Sequence, residues 1–77
     1  MSHVIVRLHG GLAERMGASA SLELDLPATV TLLDLQDRLG IPRGEAGLFL
    51  VGRQIRPESA TVGDASEIDI YPVFGGG

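Results

Sequence analysis

The chain has 77 residues, with ten acids against six arginines, a net charge of −4, and neither lysine nor cysteine. So short a domain buries only about 60% of the surface its unfolded chain exposes, which leaves room for one helix on one sheet and none for a deep enclosed active site. The acidic balance disfavours nucleic acid, the missing cysteines exclude disulfides, thiolate metal sites and a thiol nucleophile, and neither a signal peptide nor a run of about 20 apolar residues fit to span a membrane is visible, so a cytoplasmic protein is expected.

Val4, Val6 and Leu8 alternate with Ile5, Arg7 and His9, which predicts a first strand over roughly 3–9 that Gly10-Gly11 ends. Leu12 and Met16, four apart and followed by Gly17, predict one short helical turn with a glycine cap. Leu22, Leu24 and Leu26 alternate with Ser21, Glu23 and Asp25, the pattern of a strand with one wet face, and Pro27 closes it. Thr31 is a good helix N-cap, Asp34 can reach back to it as in a capping box, and Val30 with Leu35 can form a hydrophobic staple. Leu32, Leu35 and Leu39 share one helix face, Gly40 ends the helix and Pro42 blocks its continuation. A helix of about eight residues needs tertiary packing to persist.

Leu48-Phe49-Leu50-Val51 predicts a central strand, followed by a turn at Gly52-Arg53 and a short piece around Gln54-Ile55-Arg56. Residues 57–65 read as irregular with Val62 as the inward anchor, and Ile68 and Ile70 predict a last strand over roughly 67–73. The order ββ-α-β-(β)-β describes an α+β domain of the ubiquitin-like β-grasp type: a mixed sheet of four to five strands with one main helix across one face. Residues 1–73 are expected to form that single domain, and residues 74–77 a flexible tail.

The conspicuous feature is the end, where the last strand runs through Pro72-Val73-Phe74 straight into Gly75-Gly76-Gly77. Residues without a Cβ can thread a narrow channel and leave their backbone groups free to pair with its walls. A terminal carboxylate on such a tail can therefore reach a reaction centre inside another protein. The other constellations are weak. Gly10-Gly11 lacks the Gly-Lys-Ser/Thr of a phosphate loop. His3 and His9 read as surface histidines, and no metal site is expected. Glu23 and Asp25 read as a solvated strand face.

The whole chain resembles the MoaD/ThiS family of sulfur carriers, and MoaD, the small subunit of molybdopterin synthase, more than ThiS. Residues 6–17, Val-Arg-Leu-His-Gly-Gly-Leu-Ala-Glu-Arg-Met-Gly, resemble the MoaD first strand and its following helical turn. Residues 64–68, Asp-Ala-Ser-Glu-Ile, resemble the family's Asp-Gly-Asp-Glu-Val turn, and Pro72-Val73-Phe74-Gly75-Gly76 resembles its Pro-Val-x-Gly-Gly end. The chain departs from that pattern in Leu50-Val51-Gly52, where the family has Val-Asn-Gly, and in the third glycine. Either the tail is one residue longer, or Gly77 is removed before use.

The resemblance implies that the protein is not catalytic alone but is a small subunit or co-substrate. A ubiquitin-activating-type enzyme, using ATP and magnesium, would adenylate the carboxylate of Gly77 or Gly76, and sulfur would convert it to a thiocarboxylate. The large molybdopterin synthase subunit or another sulfur acceptor would take the sulfur. Thiamine synthesis, tRNA thiolation and protein modification are alternatives. The free protein is expected to be a monomer binding no cofactor of its own. Docking is expected to use Val73, Phe74 and Gly75 together with an exposed apolar patch of Phe49, Val51, Tyr71 and Phe74; the competing reading puts Phe49 or Val51 in the core.

Overall fold

The computed structural model describes residues 2–16 and 20–73. Five strands and two helices follow in the order β1 (Ser2–Leu8), α1 (Leu12–Met16), β2 (Ser21–Leu26), α2 (Leu32–Arg38), β3 (Ala46–Val51), β4 (Gln54–Arg56) and β5 (Glu67–Pro72). One sheet contains all these strands in the order β2-β1-β5-β3-β4. Strand β1 is antiparallel to β2 and parallel to β5, and β3 is antiparallel to both β5 and β4. This mixed sheet with α2 against one face is the β-grasp fold expected from the sequence. The first and last strands meet at its centre.

Period-2 patterning decides which face is buried. Val4, Val6 and Leu8 of β1 and Ile68 and Ile70 of β5 point inward with Leu26, Phe49 and Val62, and α2 closes the core with Leu32 and Leu35. Leu22 and Leu24, on the edge strand β2, are only half-buried against that cluster. The apolar run Leu48–Val51 is the last four residues of β3, because the strand already starts at Ala46.

Helix α2 begins as its sequence specifies. The Thr31 hydroxyl accepts from the Asp34 amide at 3.0 Å, and the Asp34 carboxylate accepts from the Thr31 amide at 3.4 Å. The next free amides, of Leu32 and Leu33, donate to the carbonyls of Ala60 and Glu58. The segment 57–65 is thus tied to the helix N-terminus as well as anchored by Val62. At the other end Gly40 takes the left-handed conformation just past the cap, with φ 77°. Gln36 is 2% exposed. Its side-chain amide donates to the carbonyls of Pro42 at 3.0 Å and Ile41 at 3.4 Å, which pins the returning chain and seats Ile41 in the core. Gly17, the expected cap of α1, lies outside the described residues.

Candidate functional site

The β5 strand delivers the chain to its C-terminal segment. The parallel ladder with β1 ends where the His9 amide donates to the Ile70 carbonyl at 2.9 Å. The next donor in that ladder would be residue 72, a proline without an N–H. The His9 carbonyl instead accepts from the Leu12 amide at 3.3 Å, which starts α1. On the other side of β5, the pairing with β3 shifts register between Ala46 and Leu48, leaving Gly47 as a bulge beside Pro72. The Val73 amide donates to the Glu45 carbonyl at 3.2 Å, so backbone pairing reaches residue 73. Pro72 is buried, whereas Val73 is 50% exposed.

Beside this root, the outer face of the β1–β5 pair carries a line of charges. Arg7 donates to Glu67 at 2.9 Å and lies 3.8 Å from Asp69, and His9 Nε2 lies 2.7 Å from Asp69 Oδ1. The hydrogen bond from Arg7 and its positive charge hold the Glu67 carboxyl below its ordinary range. The Tyr71 ring lies flat on the His9 imidazole, with centroids 4.2 Å apart and planes within 7°. The line thus runs from charge at Glu67 to an aromatic platform next to the tail. Further across the sheet, Leu48 pairs with Tyr71, and Leu50 pairs with Asp69 and Ile55. Leu48 and Leu50 are half-buried, and Ile55 is 68% exposed. An open groove separates the start of β3 from the segment Ile55–Glu58.

Of the residues expected to dock a partner, Tyr71 and Val73 lie together at the tail root on accessible surface. Phe49 does not. It is 5% exposed and packs inside the core, because it stands opposite Ile70, whose side chain points inward. Val51, opposite Ile68, also turns toward the core. The apolar patch on the outer face is therefore Leu48, Leu50, Ile55 and Tyr71 rather than Phe49 and Val51. Phe74, Gly75, Gly76 and Gly77 lie outside the described residues. Among the described residues no cluster of His, Cys, Asp or Glu is placed to hold a metal ion, and no helix is long and apolar enough to cross a membrane.

No family model matches the sequence, and no curated protein matches it. Solved structures do match in shape. SAMP1 from Haloferax volcanii superposes with a TM-score of 0.70 at 18% identity, covering 97% of this chain and 99% of that one. Small archaeal modifier protein 1 of H. volcanii gives 0.69 at 17% identity over 94% of this chain and 98% of that one. A Pyrococcus furiosus protein provisionally described as molybdopterin converting factor, subunit 1, gives 0.69 at 16% identity, with 94% and 98% covered. At these identities the likeness establishes a shared fold: the chain is a β-grasp domain of the ubiquitin-like kind.

Proposed function

We propose that the protein is a sulfur carrier whose working group is the carboxylate at the end of its glycine tail, Gly77 or, after removal of one residue, Gly76. The observation that carries this reading is the junction at Val73. A central strand, paired on both sides, passes through a buried proline and is still held at Val73, the residue before Phe74-Gly75-Gly76-Gly77. The fold thus fixes the chain up to that point, and the residues beyond it are of the type that fits a channel.

A carboxylate is a poor electrophile. Its oxygen attacks the α-phosphorus of ATP, held with magnesium by an activating partner, and pyrophosphate leaves. A sulfide, or a persulfide whose S–S bond a thiol later cleaves, then attacks the acyl carbon and AMP leaves. The product is a thiocarboxylate. This domain contributes no catalytic side chain to those steps. It docks, through Tyr71, Val73 and the outer face around Leu48 and Leu50, and presents its tail. The acceptor in the preferred reading is a pterin precursor bound by a large synthase subunit, as the Pro72-Val73-Phe74-Gly75-Gly76 ending and the Pyrococcus neighbour suggest. The Haloferax neighbours favour a second outcome, in which an amine of another protein attacks the same adenylate. This chain has no lysine, so its side chains could not themselves accept such a bond.

Intact-mass measurement tests the common step. Incubated with a ubiquitin-activating-type enzyme, ATP, magnesium and a sulfide donor, the chain should gain the mass of a sulfur-for-oxygen exchange, on the full chain or only on one ending at Gly76. Deleting Gly76 and Gly77 should abolish the gain and leave the melting temperature unchanged. Neither adenylate nor sulfur on either terminus, with the enzyme shown to bind, would leave a plain binding domain.

A further inference from the structure

Two glycines far apart in sequence converge on Pro72. Gly10, in the left-handed conformation at φ 62°, faces the proline ring: a Cβ built there would lie 2.7 Å from Cγ and 3.0 Å from Cδ. Gly47 faces the backbone that follows: a Cβ there would lie 2.8 Å from the Pro72 carbonyl oxygen, 2.9 Å from Val73 Cα and 3.1 Å from Val73 N. The two sites differ in kind. Gly10 satisfies both a positive φ and a close approach, whereas Gly47 has no positive φ, so lack of space alone excludes a side chain. By contrast, Gly52 and Gly63, both with φ 57°, have nothing within 4 Å of the place a Cβ would take.

We propose that Gly10 and Gly47 are positioning residues. Together they form a notch that seats Pro72, and the notch sets the direction in which Val73 delivers the tail. The proposal rests on the carrier reading for its functional consequence and on geometry alone for the notch. Backbone bonds flank the notch on both sides, from His9 to Ile70 and from Val73 to Glu45. A methyl group at position 47 forces the Pro72–Val73 backbone away by about 0.5 Å, the difference between 2.9 Å and ordinary contact at 3.4 Å. That displacement falls at the pivot of a tail whose far end must meet ATP. A misplacement on the ångström scale at a reacting atom can cost on the order of a hundredfold in rate. The three nearest atoms to each added methyl belong to Pro72 and Val73, so the loss falls on kcat more than on KM, which Val73 alone of the docking residues would raise.

The test uses the full chain and its Gly47→Ala, Gly10→Ala and Gly63→Ala variants. Hydrogen exchange at the Val73 amide reports the notch directly. Protection should be lost in Gly47→Ala and Gly10→Ala and kept in Gly63→Ala, which carries the backbone strain of Gly10→Ala with no atom within 4 Å of the added Cβ. ATP–pyrophosphate exchange with a ubiquitin-activating-type enzyme reports the consequence. Here kcat should fall, by up to the order of a hundredfold, for the first two variants, with a smaller change in KM, and stay at the wild-type value for Gly63→Ala. Should Gly47→Ala not fold, Pro72→Ala, which empties the notch, should show the same lost protection and lowered kcat. Val73 protection and kcat both retained in Gly47→Ala would overturn the proposal. A wild-type chain that no such enzyme activates would overturn the carrier reading instead, and Val73 exchange would still decide the notch.

Discussion

Replacing Phe49 with alanine tests which way β3 faces. The ring is 5% exposed and stands opposite Ile70 in the core. Removing a buried Phe typically costs about 3–5 kcal/mol, from lost burial and from the cavity left behind. At about 0.05–0.15 kcal/mol per residue, a domain of this length holds roughly 4–12 kcal/mol in all. The substitution therefore removes between a quarter and all of the stability. In urea unfolding followed by far-UV circular dichroism, with a slope near 1 kcal/mol/M for so small a protein, the midpoint should fall by about 3 M or more, or the variant should be unfolded without urea. Ile55→Ala, at a site 68% exposed on the neighbouring strand, should stay within about 0.5 kcal/mol of wild type. Equal midpoints for the two variants would refute the inward assignment. Phe49 would then belong to the docking face after all.

Tyr71→Ala removes the ring stacked on His9 at the tail root; binding to an activating enzyme should weaken by about 2 kcal/mol or more while the fold loses only about 1 kcal/mol, measured by calorimetric titration beside thermal melts. Gln36→Glu places a carboxyl against the carbonyls of Ile41 and Pro42. Only its protonated form can donate to them, so its folded pKa is raised, and the variant's stability relative to wild type should be highest below about pH 4.3 and fall as pH rises; a melting-temperature difference from wild type that is the same in acid and at neutrality would count against the buried contact. His3 bonds to Asp25 at 3.0 Å and lies 3.5 Å from Glu23, contacts that raise its pKa above 6.5. Its contribution to stability is full below that ordinary value and disappears as pH rises through the folded one. An NMR titration of the His3 ring should move down toward the ordinary value in Asp25→Asn, with the part of the shift due to Glu23 remaining.

Much of this molecule could be read from its letters, and the rest fails for identifiable reasons. The helix start was legible because Thr31, Asp34 and Val30 are local signals acting within one turn. Strands β1, β2 and β5 were legible because one face of each is polar enough to fix the phase. Strand β3 was not, because Leu48-Phe49-Leu50-Val51 is apolar at every position and gives a strand without a phase. Phase there is imposed from outside, by Phe49 pairing with Ile70 and Val51 with Ile68. The burial of Gln36 depends on two carbonyls from the loop that follows the helix, which no periodicity encodes. The notch around Pro72 joins residues 10, 47 and 72, which no local pattern links, since the sequence pattern places Gly47 before the strand and not within it.

The pairing of β1 with β5 also governs when this protein can exist as a folded body. Ile5 sits against Glu67 and Leu8 against Ile70, partners about sixty residues apart along the chain. A nascent chain that has extruded β1 to β4 owns both flanks of the sheet, β2-β1 and β3-β4, and nothing to put between them. Until residue 72 has cleared the ribosome, β1 keeps an open edge with Val4 and Val6 bared on its face, a template for the wrong partner. Pairing at such separation is slow to close, so the sheet is completed only once β5 is available. The tail root, the notch and the platform of Tyr71 on His9 come into being with that last strand. A half-made or half-folded copy therefore lacks all three features.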